Sequence, residues 1–270
     1  MVNNVTPLDP YARGFLSQHS ANGYVHRLAI FDTHGEIVRV VSMSDAVRFL
    51  ALRADKLGGL ADMNLRLLGF VSSSSSSSPP TTAAVGGGGG ALVTVAPNVP
   101  AIEAFALMCN RGVSGIGILD NGQGLIANIS ASDLRCIQPE HFGMLGLPVA
   151  EFLALLHGTS YAGFSHAESQ NRGNPFFAKM SEGGFRRTGP FLVVARPDDT
   201  LRKVLGMITE HGVHRVYVCE ADSMRPTGVM TLTDVLRLAS RAAQEVEQQE
   251  DRGDGGGGGG GGDAEGEEED

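Results

Sequence analysis

An internal repeat constrains the fold of this chain more than any other feature of its sequence. Residues 97–113 read PNVPAIEAFALMCNRGV and residues 197–213 read PDDTLRKVLGMITEHGV, so a proline, a Gly-Val pair and the apolar positions between them recur at an offset of 100 residues. A short alternating run follows each stretch, SGIGILD from Ser114 and HRVYVCE from His214. Self-similarity at a constant spacing indicates tandem copies of one structural unit.

A third copy lies nearer the start of the chain. Residues 25–32 (VHRLAIFD) and 36–50 (EIVRVVSMSDAVRFL) align without gaps with residues 113–120 and 124–138, at an offset of 88 residues throughout. The first half of this copy, residues 10–23, has the right length and a weaker match. We therefore expect three copies of the unit in the chain.

Each copy is predicted to form a strand, a helix, two further strands and a closing helix. The helix after residue 200 has apolar residues at the amphipathic spacing i, i+3, i+4 and i+7, namely Leu201, Val204, Leu205 and Ile208. A βαββα unit of about fifty residues cannot bury both faces of its sheet alone. We expect an α/β (α+β) fold of three tandem units, two of which pair into a complete module.

The three copies share a Ser/Thr-x-x-Asp motif where the last strand is predicted to end. One interpretation is a helix cap, because a hydroxyl followed three residues later by an acid is close to a capping box and suits the helix dipole. The other is nucleotide binding, since carboxylates near sheet edges accept hydrogen bonds from ribose and helix N–H groups bind phosphate. The motif residues are Ser42 and Asp45, Ser130 and Asp133, and Thr231 and Asp234.

The composition places the net charge of −9 outside the repeats. Residues 245–270 contain eleven acidic residues and one basic residue, so the rest of the chain is close to neutral. Clustered Lys and Arg, which a nucleic-acid-binding face needs, are absent from the sequence. No apolar run approaches the roughly 20 residues of a transmembrane helix, and the first thirty residues lack a secretory signal pattern. Nucleic acid and membrane are therefore not expected as partners.

Three cysteines, Cys109, Cys136 and Cys219, are an odd number without CxxC or histidine spacing. This argues against a disulfide framework or a metal site and fits a reducing compartment. We expect an intracellular protein in the cytoplasm, the nucleus or both.

Composition and repeats together divide the chain into six segments. A Ser/Pro/Gly stretch reads as a flexible linker, and the Gly-rich acidic end reads as disordered by composition. The predicted segments are a first, unpaired repeat (1–71), a linker (72–90), a second repeat (91–140), a connector (141–190), a third repeat (191–240) and an acidic tail (241–270).

The repeats resemble the CBS (cystathionine-β-synthase) domain, whose copies pair and bind adenine nucleotides in the cleft between them. The order of the copies is similar to repeats two to four of the γ regulatory subunits of AMP-activated and sucrose-non-fermenting-type protein kinases. The segments that carry the resemblance are VHRLAIFDTHGEIVRVVSMSDAVRFL, RGVSGIGILDNGQGLIANISASDLRCI and HGVHRVYVCEADSMRPTGVMTLTDVLRL. In a four-repeat γ subunit another repeat precedes these three, so the resemblance leaves residues 1–52 to bind another chain, to self-associate or to expose an apolar face.

The resemblance implies a set of nucleotide-binding residues. The motif aspartates Asp45, Asp133 and Asp234 would hold ribose, with Ser42, Ser130 and Thr231 beside them. A His-Arg pair that enters the next-to-last strand would reach phosphate, and it corresponds here to His26-Arg27 and His214-Arg215. Guanidinium and imidazole both suit phosphate oxygens. A solvated strand start with an ordinary salt bridge would be the favoured explanation of a lone pair, but recurrence of the pair 19 and 20 residues before the aspartate favours phosphate binding. The second copy has Ser114-Gly115 instead, so no cation is assigned there.

The function that follows is a non-catalytic adenine-nucleotide sensor in a serine/threonine kinase complex. Its ligands would be AMP, ADP and ATP, with no catalytic cofactor or metal, and its partners a kinase catalytic α subunit and a scaffolding β subunit. The sequence has no GxxxxGK[ST] loop, HRD, DFG or GxSxG motif, so catalysis is not expected. The alternatives are a stand-alone CBS protein that regulates another enzyme through adenosine ligands, and a scaffold with degenerate pockets.

Overall fold

The computed structural model describes Phe15 and residues 25–71, 92–120, 123–157, 160–161, 164–165 and 192–253. The predicted linker, 72–90, lies outside the described residues, as do most of the predicted connector and residues 254–270 of the predicted tail. Side chains are not described at residues 136, 157, 160–161, 164–165 and 246–253.

The second and third copies form the predicted three-stranded sheets, each with a helix between its first two strands. In the second copy these elements are β3 (Thr94–Val95), α3 (Ala101–Arg111), β4 (Gly115–Leu119) and β5 (Leu125–Ser130). In the third copy they are β8 (Val194–Ala195), α5 (Leu201–His211), β9 (Arg215–Cys219) and β10 (Pro226–Thr231), followed by α6 (Leu232–Gly253). In both sheets the first strand pairs parallel with the second, and the second pairs antiparallel with the third. The predicted α/β fold of tandem βαββα repeats is confirmed.

The first copy is described from its hairpin onward. It contains β1 (Arg27–Phe31), β2 (Ile37–Ser42) and α1 (Met43–Leu52), and β1 pairs antiparallel with β2. A 3₁₀ helix (Ala54–Leu57) and the short α2 (Gly59–Asp62) follow. Its predicted front half, residues 10–23, lies outside the described residues apart from Phe15, whose side chain is fully buried.

The closing helix predicted for the second copy does not form. A 3₁₀ turn, Asp133–Cys136, replaces it, and a second 3₁₀ helix spans Pro139–Gly146. The reason is Pro139, which corresponds to Ala51 in the first copy and Ser240 in the third. Proline removes a helix hydrogen bond and keeps the residue before it out of the α region, so an α-helix cannot run through this position.

Two helices lie wholly or partly in segments that were predicted to lie outside the repeats, the connector and the tail. Within the predicted connector, α4 (Val149–His157) is part of the second repeat's core, with Phe152 and Leu153 fully buried, and two short strands follow, β6 (Ser160–Tyr161) and β7 (Phe164–Ser165). Within the predicted tail, α6 continues to Gly253. The repeats therefore bury more of the chain than their sequence similarity covers.

The segment after the first repeat packs on the third repeat in the same way as the segment after the second repeat packs on the second. Three backbone hydrogen bonds of 2.8–3.1 Å hold each segment, at donors and acceptors that correspond residue by residue between the two sites. The bonds are Leu201 N to Met63 O, Leu65 N to Asp199 O and Arg66 N to Pro197 O in one site, and Ala101 N to Leu147 O, Val149 N to Val99 O and Ala150 N to Pro97 O in the other. The first and third repeats are thus interleaved.

Three apolar clusters hold the repeats together. The largest joins the first repeat to the third, because Val47 and Leu50 of α1 pack with Leu205 of α5 and Leu236 of α6. A second cluster is the interior of the second repeat. The third lies between the sheets of the second and third repeats and contains Leu119, Leu125, Tyr217, Cys219 and Val229. The first repeat, which we expected to be unpaired, therefore has a helical contact with the third.

The outer sheet face of the first repeat is not covered by any described residue. Phe31 is 58% exposed, whereas its counterparts Leu119 and Cys219 are 8% and 0% exposed because the sheets of the second and third repeats cover each other there. Ile37, Val38 and Val40 are also exposed. An exposed apolar face was one of the three outcomes expected for this repeat.

Among the helices that the structure describes, none combines the length and apolarity needed to cross a bilayer.

Candidate functional site

A cavity of about 400 Å³ lies where the three repeats meet. Each repeat contributes the start of its hairpin and the motif that follows its last strand. From the predicted site, the cavity lining includes His26, Arg27, Ser42, Ser130, His214, Arg215 and Thr231. The structure thus brings seven of the ten predicted residues to one cavity, from all three copies rather than from one pair.

Strand pairing places each His-Arg pair next to the Ser/Thr-x-x-Asp motif of its own repeat. Each pair stands at the beginning of a strand, β1 or β9, directly opposite the end of its antiparallel neighbour. Arg27 lies across from Ser42, and Arg215 lies across from Thr231. The cations of a repeat are therefore held next to its Ser/Thr-x-x-Asp motif, which places positive charge beside hydroxyl groups.

The second repeat lacks a cation of its own at this position, and Arg215 of the third repeat occupies the corresponding space. The Arg215 guanidinium donates a hydrogen bond of 2.8 Å from Nη2 to the Ser114 Oγ. A Cβ atom on Gly115 would overlap this guanidinium, so the glycine leaves the room that the arginine needs. The Ser114-Gly115 pair of the second repeat and the His-Arg pair of the third are complementary.

Next to Arg215, Tyr217 connects the two sheets. Its hydroxyl donates a hydrogen bond of 2.7 Å to the Asn128 Oδ1 of the second repeat. Burial raises the pKa of Tyr217 to about 12, although the neighbouring Arg215 charge opposes this rise. The phenol is therefore neutral at physiological pH and does not compensate the charge of Arg215 in the cavity wall.

The three motif aspartates cap the chain after their strands. Asp45 completes a capping box at α1, in which Ser42 N and Oγ donate to its Oδ2 at 2.9 and 2.7 Å. These bonds hold the pKa of Asp45 below its ordinary value. The corresponding distances are 2.7 and 3.0 Å at Asp133, and 2.9 and 2.6 Å at Asp234. The capping interpretation is confirmed for the first and third copies. In the second copy the same two bonds precede a 3₁₀ turn, Asp133–Cys136, which has no side-chain capping hydrogen bond at its start.

The same aspartates do not belong to the described lining of the cavity. Asp45 is exposed, while Asp133 and Asp234 are each 1% exposed, and an Oδ1 of Asp234 lies 3.3 Å from Arg237 Nη1. Their role in holding ribose stays a prediction.

Sequence reasoning missed seven polar residues that line the cavity. Three are the hydroxyl residues directly before the aspartates, Ser44, Ser132 and Thr233, and the others are Ser114, Asn128, Arg135 and Tyr217. The hydroxyls had a detectable signal, because a Ser or Thr precedes the aspartate in all three copies. Arg135 had none, since neither of the other copies carries an arginine at the equivalent position, which is Val47 or Leu236.

Within the ranges that the structure describes, no group of three or more His, Cys, Asp or Glu side chains is arranged to hold a metal ion.

Comparisons with known proteins agree with the repeat architecture. The family model for the CBS domain matches residues 190–241, the third repeat. A structure of an uncharacterized conserved protein from Pyrococcus horikoshii aligns with a TM-score of 0.53, at 13% identity, over 86% of this chain and 75% of that one. At this identity the structural likeness concerns the fold alone.

Two curated proteins are similar over half of the chain. The SNF1-related protein kinase regulatory subunit gamma-1-like of Arabidopsis thaliana is 27% identical over 138 residues, and Protein SDS23 of Pyricularia oryzae is 25% identical over 138 residues. These alignments cover 50% of this chain, but only 26% and 22% of the two relatives, so the chain spans about a quarter of their length. The chain therefore contains a CBS domain, within an α/β fold of tandem repeats, and resembles the γ regulatory subunits of SNF1-related kinases.

Proposed function

We propose that this protein is a non-catalytic regulatory subunit that binds AMP, ADP or ATP in the cavity between its three repeats and acts in a serine/threonine protein kinase complex. The observation that carries the proposal is the convergence of His26-Arg27, His214-Arg215 and the motif hydroxyls on one cavity. Guanidinium groups offer paired donors to phosphate oxygens, and hydroxyls complete the set of hydrogen bonds. The volume of about 400 Å³ is within the range of small-molecule sites.

Binding in this cavity would regulate through the arrangement of the repeats. The wall is divided among three repeats, so a bound nucleotide contacts all of them at once and favours the arrangement in which their cations are close. A ligand shifts a conformational equilibrium only by its differential affinity for the two states. A kinase partner that prefers one arrangement would then respond to nucleotide, and by linkage it would alter nucleotide affinity by the same factor.

The proposed kinase partners, a catalytic α subunit and a scaffolding β subunit, follow from the resemblance to γ subunits, and the relative from Arabidopsis thaliana, whose name describes a kinase regulatory subunit, supports a role in a kinase complex. The proposal includes a cytoplasmic or nuclear location or both. Pull-down of purified α and β subunits by this protein tests the assembly. Nucleotide binding without kinase capture would leave a CBS protein that regulates a different enzyme.

Isothermal titration of the full chain with AMP, ADP and ATP tests the binding function. We expect saturable binding of at least one of the three nucleotides. Absence of binding at millimolar concentration of all three would overturn the sensor function and return the repeats to a scaffolding role. A titration with GMP controls for binding that depends on phosphate alone.

A further inference from the structure

The charge of the cavity wall exceeds what one nucleotide phosphate balances. Each repeat contributes one guanidinium, Arg27 from the first, Arg135 from the second and Arg215 from the third, and His26 and His214 add two imidazoles. None of the described lining residues is acidic. A phosphate monoester carries about −1.5 to −2 at pH 7, so it compensates only part of three permanent positive charges.

The remaining polar groups of the wall are also suited to an extended anion. Hydroxyl side chains from all three repeats line it, namely Ser42, Ser44, Ser114, Ser130, Ser132, Thr231 and Thr233. The first residues of two helices, Met43 and Ser44 of α1 and Leu232 and Thr233 of α6, face the same space. Helix N-termini carry partial positive charge and unsatisfied N–H groups, which favour anions.

One of the three guanidiniums is already fixed before any ligand binds. Arg215 is half-buried, is held by the Ser114 hydroxyl at 2.8 Å, and lies in the space left by Gly115. Preorganised donors lose less side-chain entropy on binding than donors on a mobile side chain. Arg27 and Arg135 are exposed and adjustable, so they can close on the outer groups of a chain whose centre Arg215 holds.

We propose that the central cavity is a polyphosphate site, which takes a linear chain of three phosphoryl groups with one guanidinium from each repeat. The shared chemistry is the triphosphate chain itself, either free as inorganic tripolyphosphate or at the end of a nucleoside triphosphate. The inference concerns the same cavity as the proposed function and rests on that function only for the nucleotide form. The cavity discriminates among phosphate ligands by the number of phosphoryl groups.

Isothermal titration of the full chain with sodium tripolyphosphate, ATP, AMP and adenosine tests the proposal. We expect tripolyphosphate and ATP to bind at least about tenfold more tightly than AMP, because each charge-assisted contact adds to affinity. The affinities for tripolyphosphate and ATP should both fall as ionic strength rises, since salt screens exposed charges. Tripolyphosphate should also displace AMP. Equal affinities for AMP and tripolyphosphate, or no binding of tripolyphosphate, would overturn the proposal.

A matched pair of variants locates the site. Arg135→Gln removes the guanidinium of the second repeat, and Arg111→Gln removes the same charge from the exposed end of α3, outside the cavity lining. We expect Arg135→Gln to weaken the binding of tripolyphosphate and ATP about tenfold and the binding of AMP by less. Arg111→Gln should leave the affinity for all three ligands unchanged. Circular dichroism of both variants checks that they are folded. Equal effects of the two substitutions would contradict the proposal, since only the net charge would then matter.

The outcomes separate this proposal from the proposed function. If AMP and adenosine bind and tripolyphosphate does not, the polyphosphate site is wrong and nucleotide sensing stands. If tripolyphosphate binds and no adenine nucleotide does, nucleotide sensing is wrong, and the polyphosphate site stands only for the free tripolyphosphate chain.

Discussion

The complementarity of Arg215 and Gly115 is the most informative relation between single residues in this protein. Both stand at the same position of their repeats, yet one has the longest cationic side chain and the other has none. Because the guanidinium extends over the glycine, a cation at both positions would place two like charges in one space. Arg215 can take its position only because the second repeat has Ser114-Gly115 where the third has a His-Arg pair.

The pKa of Tyr217 gives a pH-dependent prediction at this scale. Burial raises it to about 12, above the ordinary value of 10.0. A folded-state pKa that is higher than the unfolded one contributes stability that is complete below pH 10 and is lost as the pH rises toward about 12. We expect the difference in phenolate absorbance between the parent and Tyr217→Phe to titrate near pH 12. A difference spectrum that titrates near pH 10 would show a solvent-exposed phenol instead.

The motif aspartates give a second prediction, because the caps share their hydrogen bonds but not their surroundings. Asp45 is exposed, whereas Asp234 is 1% exposed and pairs with Arg237. We expect Asp45→Asn to lower the free energy of unfolding by less than about 1 kcal/mol, and Asp234→Asn by about 2 kcal/mol, since it also removes a charged hydrogen bond. Urea denaturation measures both. Equal losses would mean that the ion pair with Arg237 contributes nothing.

The sequence predicted most residues that line the cavity, but it did not predict that residues of all three repeats line the same cavity. The recurrence of His-Arg and of Ser/Thr-x-x-Asp identified residues that do line the cavity, because both patterns repeat in register with the strands. It could not predict that Arg215 reaches Ser114 of another repeat, since that contact depends on the packing of two sheets. It also missed Arg135, which has no counterpart in the other copies.

At the scale of elements, the segment 63–71 couples the first repeat to the third. Phe70 is 1% exposed in the shared core, and its carbonyl oxygen lies against Gly228 of β10 so closely that a Cβ there would overlap it. The absence of a side chain at residue 228 is therefore what lets this segment approach the sheet. The sequence offered no signal for this contact, because the segment has no counterpart among the aligned parts of the repeats.

Substitution of this glycine tests the coupling. We expect Gly228→Ala to lower the free energy of unfolding by about 1–3 kcal/mol, because the backbone of the docked segment must shift to make room for the methyl group. Gly206→Ala is the matched control, since a Cβ at this position of α5 meets nothing within 4 Å. There we expect a gain of up to about 1 kcal/mol, from the higher helix propensity of alanine. Denaturation curves of the two variants that coincide would contradict the docking contact.

Elements were predicted well where the period of apolar residues was clear and poorly where a local residue overrode it. Helix α5 begins after the Thr200 cap and ends at His211, before the Gly212 C-cap, as its pattern indicates. The closing helix of the second repeat follows the same motif as its counterparts, but Pro139 prevents it from forming. For the closing helix of the second repeat, the position of Pro139 was therefore a better predictor of structure than similarity to the other two repeats.

At the scale of the whole molecule, the repeats are joined through two different surfaces. Sheets meet between the second and third repeats, and helices meet between the first and third. The sequence predicted the first contact, because two complete copies were visible. The second could not be predicted, because the first copy is similar to the others only from its hairpin onward, and because some of the residues that bind it to the third repeat, such as Leu65 and Phe70, follow the copy in the chain. The cavity exists only because both contacts form.

We propose that Arg215, which donates to Ser114 of the second repeat, binds the phosphate of an adenine nucleotide in this three-repeat cavity. The most direct test is the affinity of AMP and of adenosine for the parent protein and for Arg215→Ala, measured by isothermal titration. We expect the substitution to weaken AMP about tenfold or more and to leave adenosine unchanged, because only AMP carries the group that the guanidinium would bind. Equal AMP affinity in the two proteins would show that Arg215 does not bind the phosphate.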